Sequence, residues 1–83
     1  MNEWCRLELR LVDRQIAREV CLSKRLTLKE NIDMYLELEN ICLPNYFLIR
    51  RLNNRLLNNQ TVLADLHLNE GEGLDIYPYP SAV

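Results

Sequence analysis

Thr61-Val62-Leu63-Ala64-Asp65-Leu66-His67-Leu68-Asn69-Glu70-Gly71-Glu72-Gly73-Leu74-Asp75-Ile76 decides how the chain is organised. An apolar anchor at Leu63, an acidic turn at Asp65, apolar Leu66 and Leu68, then a polar loop into Leu74 and Ile76 describe a short surface turn that feeds a last strand into a sheet. Both glycines of the 83-residue chain lie in this stretch, at 71 and 73. Glycines placed so close together indicate that the backbone there needs positive φ or a close approach by a neighbour.

Working outward, residues 5–11 alternate Cys5, Leu7, Leu9 and Leu11 with Arg6, Glu8 and Arg10, the pattern of a half-exposed strand. Val12 to Gln15 connects it to a second strand from Ile16 to Leu22, in which Arg18 interrupts the apolar side, as an edge strand or a bulge would allow. Thr27-Leu28-Lys29-Glu30 has capping-box spacing, so a helix starts at Leu28. Leu28, Ile32, Tyr35 and Leu36 form its apolar stripe, widened by Met34, Leu38 and Ile41, and Leu43-Pro44 is expected to end it. A third strand spans Tyr46 to Leu52, with Phe47 and Ile49 on one side and Leu48 and Arg50 on the other. Asn53-Asn54 turns the chain into a short strand at 55–57, because asparagine tolerates left-handed geometry. Tyr77-Pro78-Tyr79-Pro80 stops the final strand.

Length and composition restrict the function. Eighty-three residues make one small domain, without the two lobes that enclose a deep substrate cavity. A hydrophobic fraction of 48% and a charged fraction of 27% belong to an ordinary globular chain, with no apolar run long enough for membrane insertion. The start Met1-Asn2-Glu3-Trp4-Cys5-Arg6 lacks signal-peptide character, so a cytoplasmic location is expected. Cys5, Cys21 and Cys42 are too widely spaced for a zinc site and read as reduced, partly buried small hydrophobes.

Charge is distributed in blocks. Residues 1–29 carry seven basic and four acidic side chains, residues 30–40 four acids, residues 41–59 three arginines and residues 60–83 four acids. The net charge of −2 argues against nucleic acid as the partner.

The order of a hairpin, a capped helix, a proline-marked crossing, a third strand with a tight turn and a final Leu-x-Ile strand resembles the ubiquitin superfamily from about residue 5 to 77. Its most specific part is the ordered set Ile49, Asn53-Asn54, Leu56, Thr61-x-Leu63-x-Asp65 and Gly73-Leu74-x-Ile76. The resemblance implies an α+β β-grasp fold, with a mixed four- to five-stranded sheet on one helix, a single domain over residues 1–78 and a short tail at 79–83. Leu43-Pro44, Ile49-Arg50 and Asn69 to Ile76 are in turn similar to the YukD and EsaB proteins, which accompany type VII (WXG100) secretion systems of Gram-positive bacteria. That implies a bacterial accessory or regulatory protein. Conjugation requires a flexible terminal Gly-Gly, and the sequence here closes Pro80-Ser81-Ala82-Val83. The resemblance also aligns Arg50 with ubiquitin's exposed interaction isoleucine, which speaks against the usual ubiquitin receptors.

No catalytic, cofactor or metal site is expected. His67 stands in a turn without a nucleophile or acid beside it, Cys42 lacks the electropositive setting of a thiol enzyme, and the carboxylates around Gly71 and Gly73 would repel a phosphate. What is left is a surface. In a ubiquitin-like sheet, Arg6, Arg10 and Arg50 are expected on one face with Leu48 and Tyr77 interleaved, a candidate docking face for a protein partner, which the resemblance to YukD and EsaB implies is a secretion-system component. Glu8 and Asp75 on that face argue against nucleic acid. The same charges also suit a merely solvated surface or a head-to-tail oligomerisation module, a modifier or sulfur carrier adenylated at its terminus is the further alternative, and the oligomeric state is left open.

Overall fold

Strict alternation gives β1 (Trp4–Leu11) one apolar and one charged side. In the computed structural model, which describes residues 3–79, a turn with Gln15 at φ 55° leads into antiparallel β2 (Ile16–Ser23). Then come α1 (Leu28–Leu38), β3 (Tyr46–Arg50), β4 (Arg55–Leu57), a 3₁₀ turn at Leu63–Leu66 and β5 (Gly73–Pro78). The sheet order is β2-β1-β5-β3-β4; the β1–β5 pair at its centre is parallel and the rest antiparallel. This is the ubiquitin-like β-grasp arrangement, a five-stranded mixed sheet against one helix.

The capping box forms as the sequence requires. The Glu30 amide donates to Thr27 Oγ1 at 3.1 Å and the Thr27 amide to Glu30 Oε1 at 3.0 Å. The helix stops at Leu38, before the expected Leu43-Pro44. Asn40 turns left-handed at φ 57°, its amide reaching the Glu37 carbonyl and that of Ile41 the Leu36 carbonyl, so the last carbonyls are satisfied without the proline. Of the expected stripe, Leu28, Ile32, Tyr35 and Leu36 are buried, whereas Met34 and Leu38 point out to solvent.

The buried side faces Leu7, Leu9, Leu11, Leu48, Leu74 and Ile76 of the sheet. Each such residue contributes about 1.5–3 kcal/mol, several times an exposed ion pair, so this layer holds the fold. Arg18 is exposed, as an edge strand allows, and lies 3.7 Å from Glu39 at the helix end. Only Cys5 of the three cysteines is buried, and its burial pushes the thiol pKa up; Cys21 and Cys42 are exposed, against expectation, because neither falls on the inner side of the sheet or on the helix stripe.

The stretch from 59 to 73 clamps this layer together. The Leu28 and Lys29 amides, orphan donors at the helix start, reach the carbonyls of Thr61 and Asn59, and the Leu63 amide reaches Leu26. Each glycine meets one of the two needs inferred from their clustering. Gly71 sits at φ 78°, and a Cβ on Gly73 would come within 2.5 Å of the Arg51 guanidinium carbon.

Candidate interaction surface

Directly paired residues of neighbouring strands share a side of the sheet, so the register defines its outward face. One row across it runs Leu56, Ile49, Asp75, Arg10, Ala17, the next holds Tyr77 beside Phe47, and Glu8 pairs with Gly73 and Glu19. Arg6, Arg10 and Tyr77 are therefore together on this face, as expected. Leu48 and Arg50 are not.

Leu48 is fully buried in the core. Its phase with Arg50 was read correctly, but Tyr46 and Leu48 supply the inward side of β3 and Phe47 and Ile49 the outward one. Arg50, last in the strand and on the inner side, turns to the loop before β5. There its Nε and Nη2 grip the Glu72 carboxylate, Nη2 at 2.8 Å, with only 19% of the arginine and 6% of the glutamate side chain exposed. This hydrogen-bonded pair holds the Glu72 carboxyl below the usual range. The outward apolar position that the resemblance assigned to Arg50 is occupied by Ile49.

The outward face has two unlike halves. In the charged half, Arg51 crosses over Gly73 and reaches Asp75 Oδ1 with Nε (3.0 Å) and Nη2 (2.9 Å) and Glu8 Oε1 with Nη1 (2.7 Å). Arg10 Nη2 takes the other Asp75 oxygen at 2.8 Å. Two arginines thus close over Asp75, which is 4% exposed, and balance it and Glu8 charge for charge. Arg6 lies 3.6 Å from Glu19 and 3.9 Å from Glu70, in looser and more exposed pairs. The arginines of the expected docking face are bonded to the protein's own carboxylates.

In the apolar half, the Tyr77 ring stacks on Phe47 with centroids 5.2 Å apart and planes at 6°, and Tyr79 leans on the same ring at 5.3 Å. The Tyr79 amide also donates to the Asn45 carbonyl, so this residue, assigned to the tail from the sequence, is tied to the sheet, while residues 80–83 of that tail lie outside the described residues. Ile49 and Leu56 continue the patch, Leu56 with 63% of its surface exposed.

Sequence reasoning passed over Arg51, Phe47, Ile49 and Leu56 as surface determinants. The signal was present: adjacent Arg50 and Arg51 in one extended run must face opposite sides, and Arg50 had been sent outward. On the core side, Tyr46 donates to Asp33 Oδ1 at 2.6 Å, and burial with that bond pushes its hydroxyl pKa far up. His67 is exposed in a left-handed turn at φ 52°. Among the described residues no group of three or more His, Cys, Asp or Glu could hold a metal, and no helix is long and apolar enough to cross a membrane.

No protein-family model and no curated protein matches the chain. Solved structures do. A chain from a study of molecular mimicry of SUMO in promoting DNA repair superposes with a TM-score of 0.79 at 14% identity, over 92% of each chain. A designed protein based on ubiquitin gives 0.77 at 17% identity, over 99% of this chain and 96% of that one. The ubiquitin of Caldiarchaeum subterraneum gives 0.74 at 11% identity, over 96% and 99%. At these identities the likeness establishes the ubiquitin-like fold.

Proposed function

We propose that this protein is a non-enzymatic ubiquitin-like adaptor that binds another protein through the apolar half of its outward sheet face. The observation carrying the proposal is the contiguous patch of Phe47, Ile49, Leu56, Tyr77 and Tyr79, of which Leu56 and Tyr79 are more than half exposed. Aromatic and aliphatic anchors beside a rim of ion-paired charges are the composition of a binding hot spot. The neighbouring arginines form the rim, because their charges are already bonded. A non-conjugated role is supported by the likeness of Asn69 to Ile76 to the YukD and EsaB proteins. The resemblance of Leu43-Pro44, Ile49-Arg50 and residues 69–76 to YukD and EsaB supports a cytoplasmic, type VII secretion setting for the partner.

The test is photo-crosslinking in the source cells from a probe placed at position 52, beside the patch, with and without Leu56→Glu. Partners captured by the parent chain should be lost with Leu56→Glu at unchanged melting temperature. Undiminished capture of the same partners would remove the patch. If the captured proteins include no type VII component, the secretion setting fails while the patch stands.

A further inference from the structure

Arg50 and Arg55 stand directly opposite each other in the β3–β4 register, so both side chains leave the inner side of the sheet, one step beyond the core pair Leu48 and Leu57. Like charges in directly opposed positions repel, and only one of these two is neutralised within the fold. Glu72 holds Arg50 through Nε and Nη2, whereas the Arg55 guanidinium is exposed and has no carboxylate partner among the described residues. Both arginines line a cleft of about 340 Å³ beside β4 and the 3₁₀ turn, where Asp65 and Thr61 add polar wall and Leu57 and Leu66 apolar wall.

Hydrogen-bonding capacity is left over on these walls. Nη1 of Arg50, the Arg55 guanidinium, the Thr61 hydroxyl and the Asp65 carboxylate make no bond within the described residues. Glu72 fixes the Arg50 guanidinium from one side, and the Thr61 amide and carbonyl are bonded to Asn58 and Leu28, so two of these groups are held in place before any ligand arrives. Charge and size then select the occupant. With Arg50 balanced by Glu72, two opposite charges remain in the cleft, Arg55 and Asp65, and they are not paired with each other. A bare anion such as phosphate would satisfy Arg55 and be repelled by Asp65, and a bare cation the reverse. A ligand carrying both charges satisfies both. The volume lies at the low end for small-molecule sites, which suits an amino acid and not a nucleotide.

We propose that this cleft binds a free α-amino acid with an apolar side chain about the size of leucine. The ligand carboxylate accepts from Arg55 and from Nη1 of Arg50, its ammonium donates to Asp65 and Thr61 Oγ1, and its side chain packs on Leu57 and Leu66. The cleft adjoins the apolar patch at Leu56, which lines both, but it requires no protein partner.

The probes are L-leucine, leucinamide, which lacks the carboxylate, N-acetyl-L-leucine, which lacks the ammonium, and inorganic phosphate, each titrated into the full chain while amide chemical shifts are followed. L-Leucine is expected to saturate with a Kd of about 0.1–1 mM and to shift residues between 50 and 66, and the two analogues to bind about tenfold more weakly. Arg55→Gln should erase the preference for leucine over leucinamide, and Asp65→Asn the preference for leucine over N-acetyl-leucine, whereas a merely structural role for either side chain would weaken all three ligands alike. Both side chains are exposed, so both variants should melt with the parent, and the analogues probe the same contacts without any substitution. Absence of saturation by leucine up to about 10 mM, equal binding of leucine and leucinamide, or tighter binding of phosphate at these residues would overturn the site. Crosslinking from position 52 reads the patch and not the cleft, so either reading can fail alone.

Discussion

The two halves of the outward sheet face sit side by side and have opposite fates. One holds Arg10, Arg51, Glu8 and Asp75, the residues that a charge pattern suggests for recognition, and every one of them is bonded within the fold. The other holds Phe47, Ile49, Leu56 and Tyr77, which nothing within the described residues covers completely. Charge density along a sequence therefore marks where charged groups are needed, not where they are free. Here the guanidinium groups of Arg10 and Arg51 make a buried aspartate tolerable, and what remains for a partner is apolar surface.

The sharpest way to break this comparison uses two leucines on adjacent strands. Leu48→Ala should cost about 2–5 kcal/mol in urea unfolding, because Leu48 is fully buried, whereas Leu56→Ala should stay within about 0.5 kcal/mol. Equal losses would mean that the register assigned to β3 is wrong. A smaller effect tests the charged half. Gly73→Ala forces Arg51 off its seat and should destabilise by about 1–2 kcal/mol, but should be nearly neutral once Arg51→Met has removed the guanidinium. Additive losses in that double-mutant cycle would show that Gly73 serves the backbone and not Arg51.

The smallest effect is a pH dependence. Because Arg50 holds the Glu72 carboxyl below its unfolded value, the pair's contribution is full above the ordinary glutamate range and is lost as the pH falls through the depressed folded value. Glu72→Gln should remove that part of the acid destabilisation and leave the stability curve above pH 6 parallel to the parent's. An unchanged acid slope would show that the ion pair carries no linkage.

Much of the architecture could be read from local chemistry. The alternation from Cys5 to Leu11, the Thr27–Glu30 box and the left-handed Gly71 each impose a conformation through local chemistry, and all three are where that chemistry puts them. The end of the helix was misread because Pro44 is a strong local signal, while Asn40 acts through a left-handed cap that several residue types can supply. Met34 and Leu38 were misassigned for a related reason: a helix can display a broad apolar arc, but the sheet covers only part of it. The site was legible in part. Arg6, Arg10 and Tyr77 share the face that alternation predicts, whereas Leu48 and Arg50 needed knowledge of which side of β3 meets the core.

The sequence by itself determined the elements, their order and the need for positive φ or a close approach around Gly71 and Gly73, because capping, alternation and turn chemistry act over a few residues. Tertiary structure alone decided which side of β3 is buried, which arginines are consumed by carboxylates as many as 65 positions away, and which hydrophobic residues are left open at Leu56, Met34 and Leu38. Those outcomes depend on contacts between distant strands, and period-two alternation is symmetric between the two sides of a sheet until a helix covers one of them.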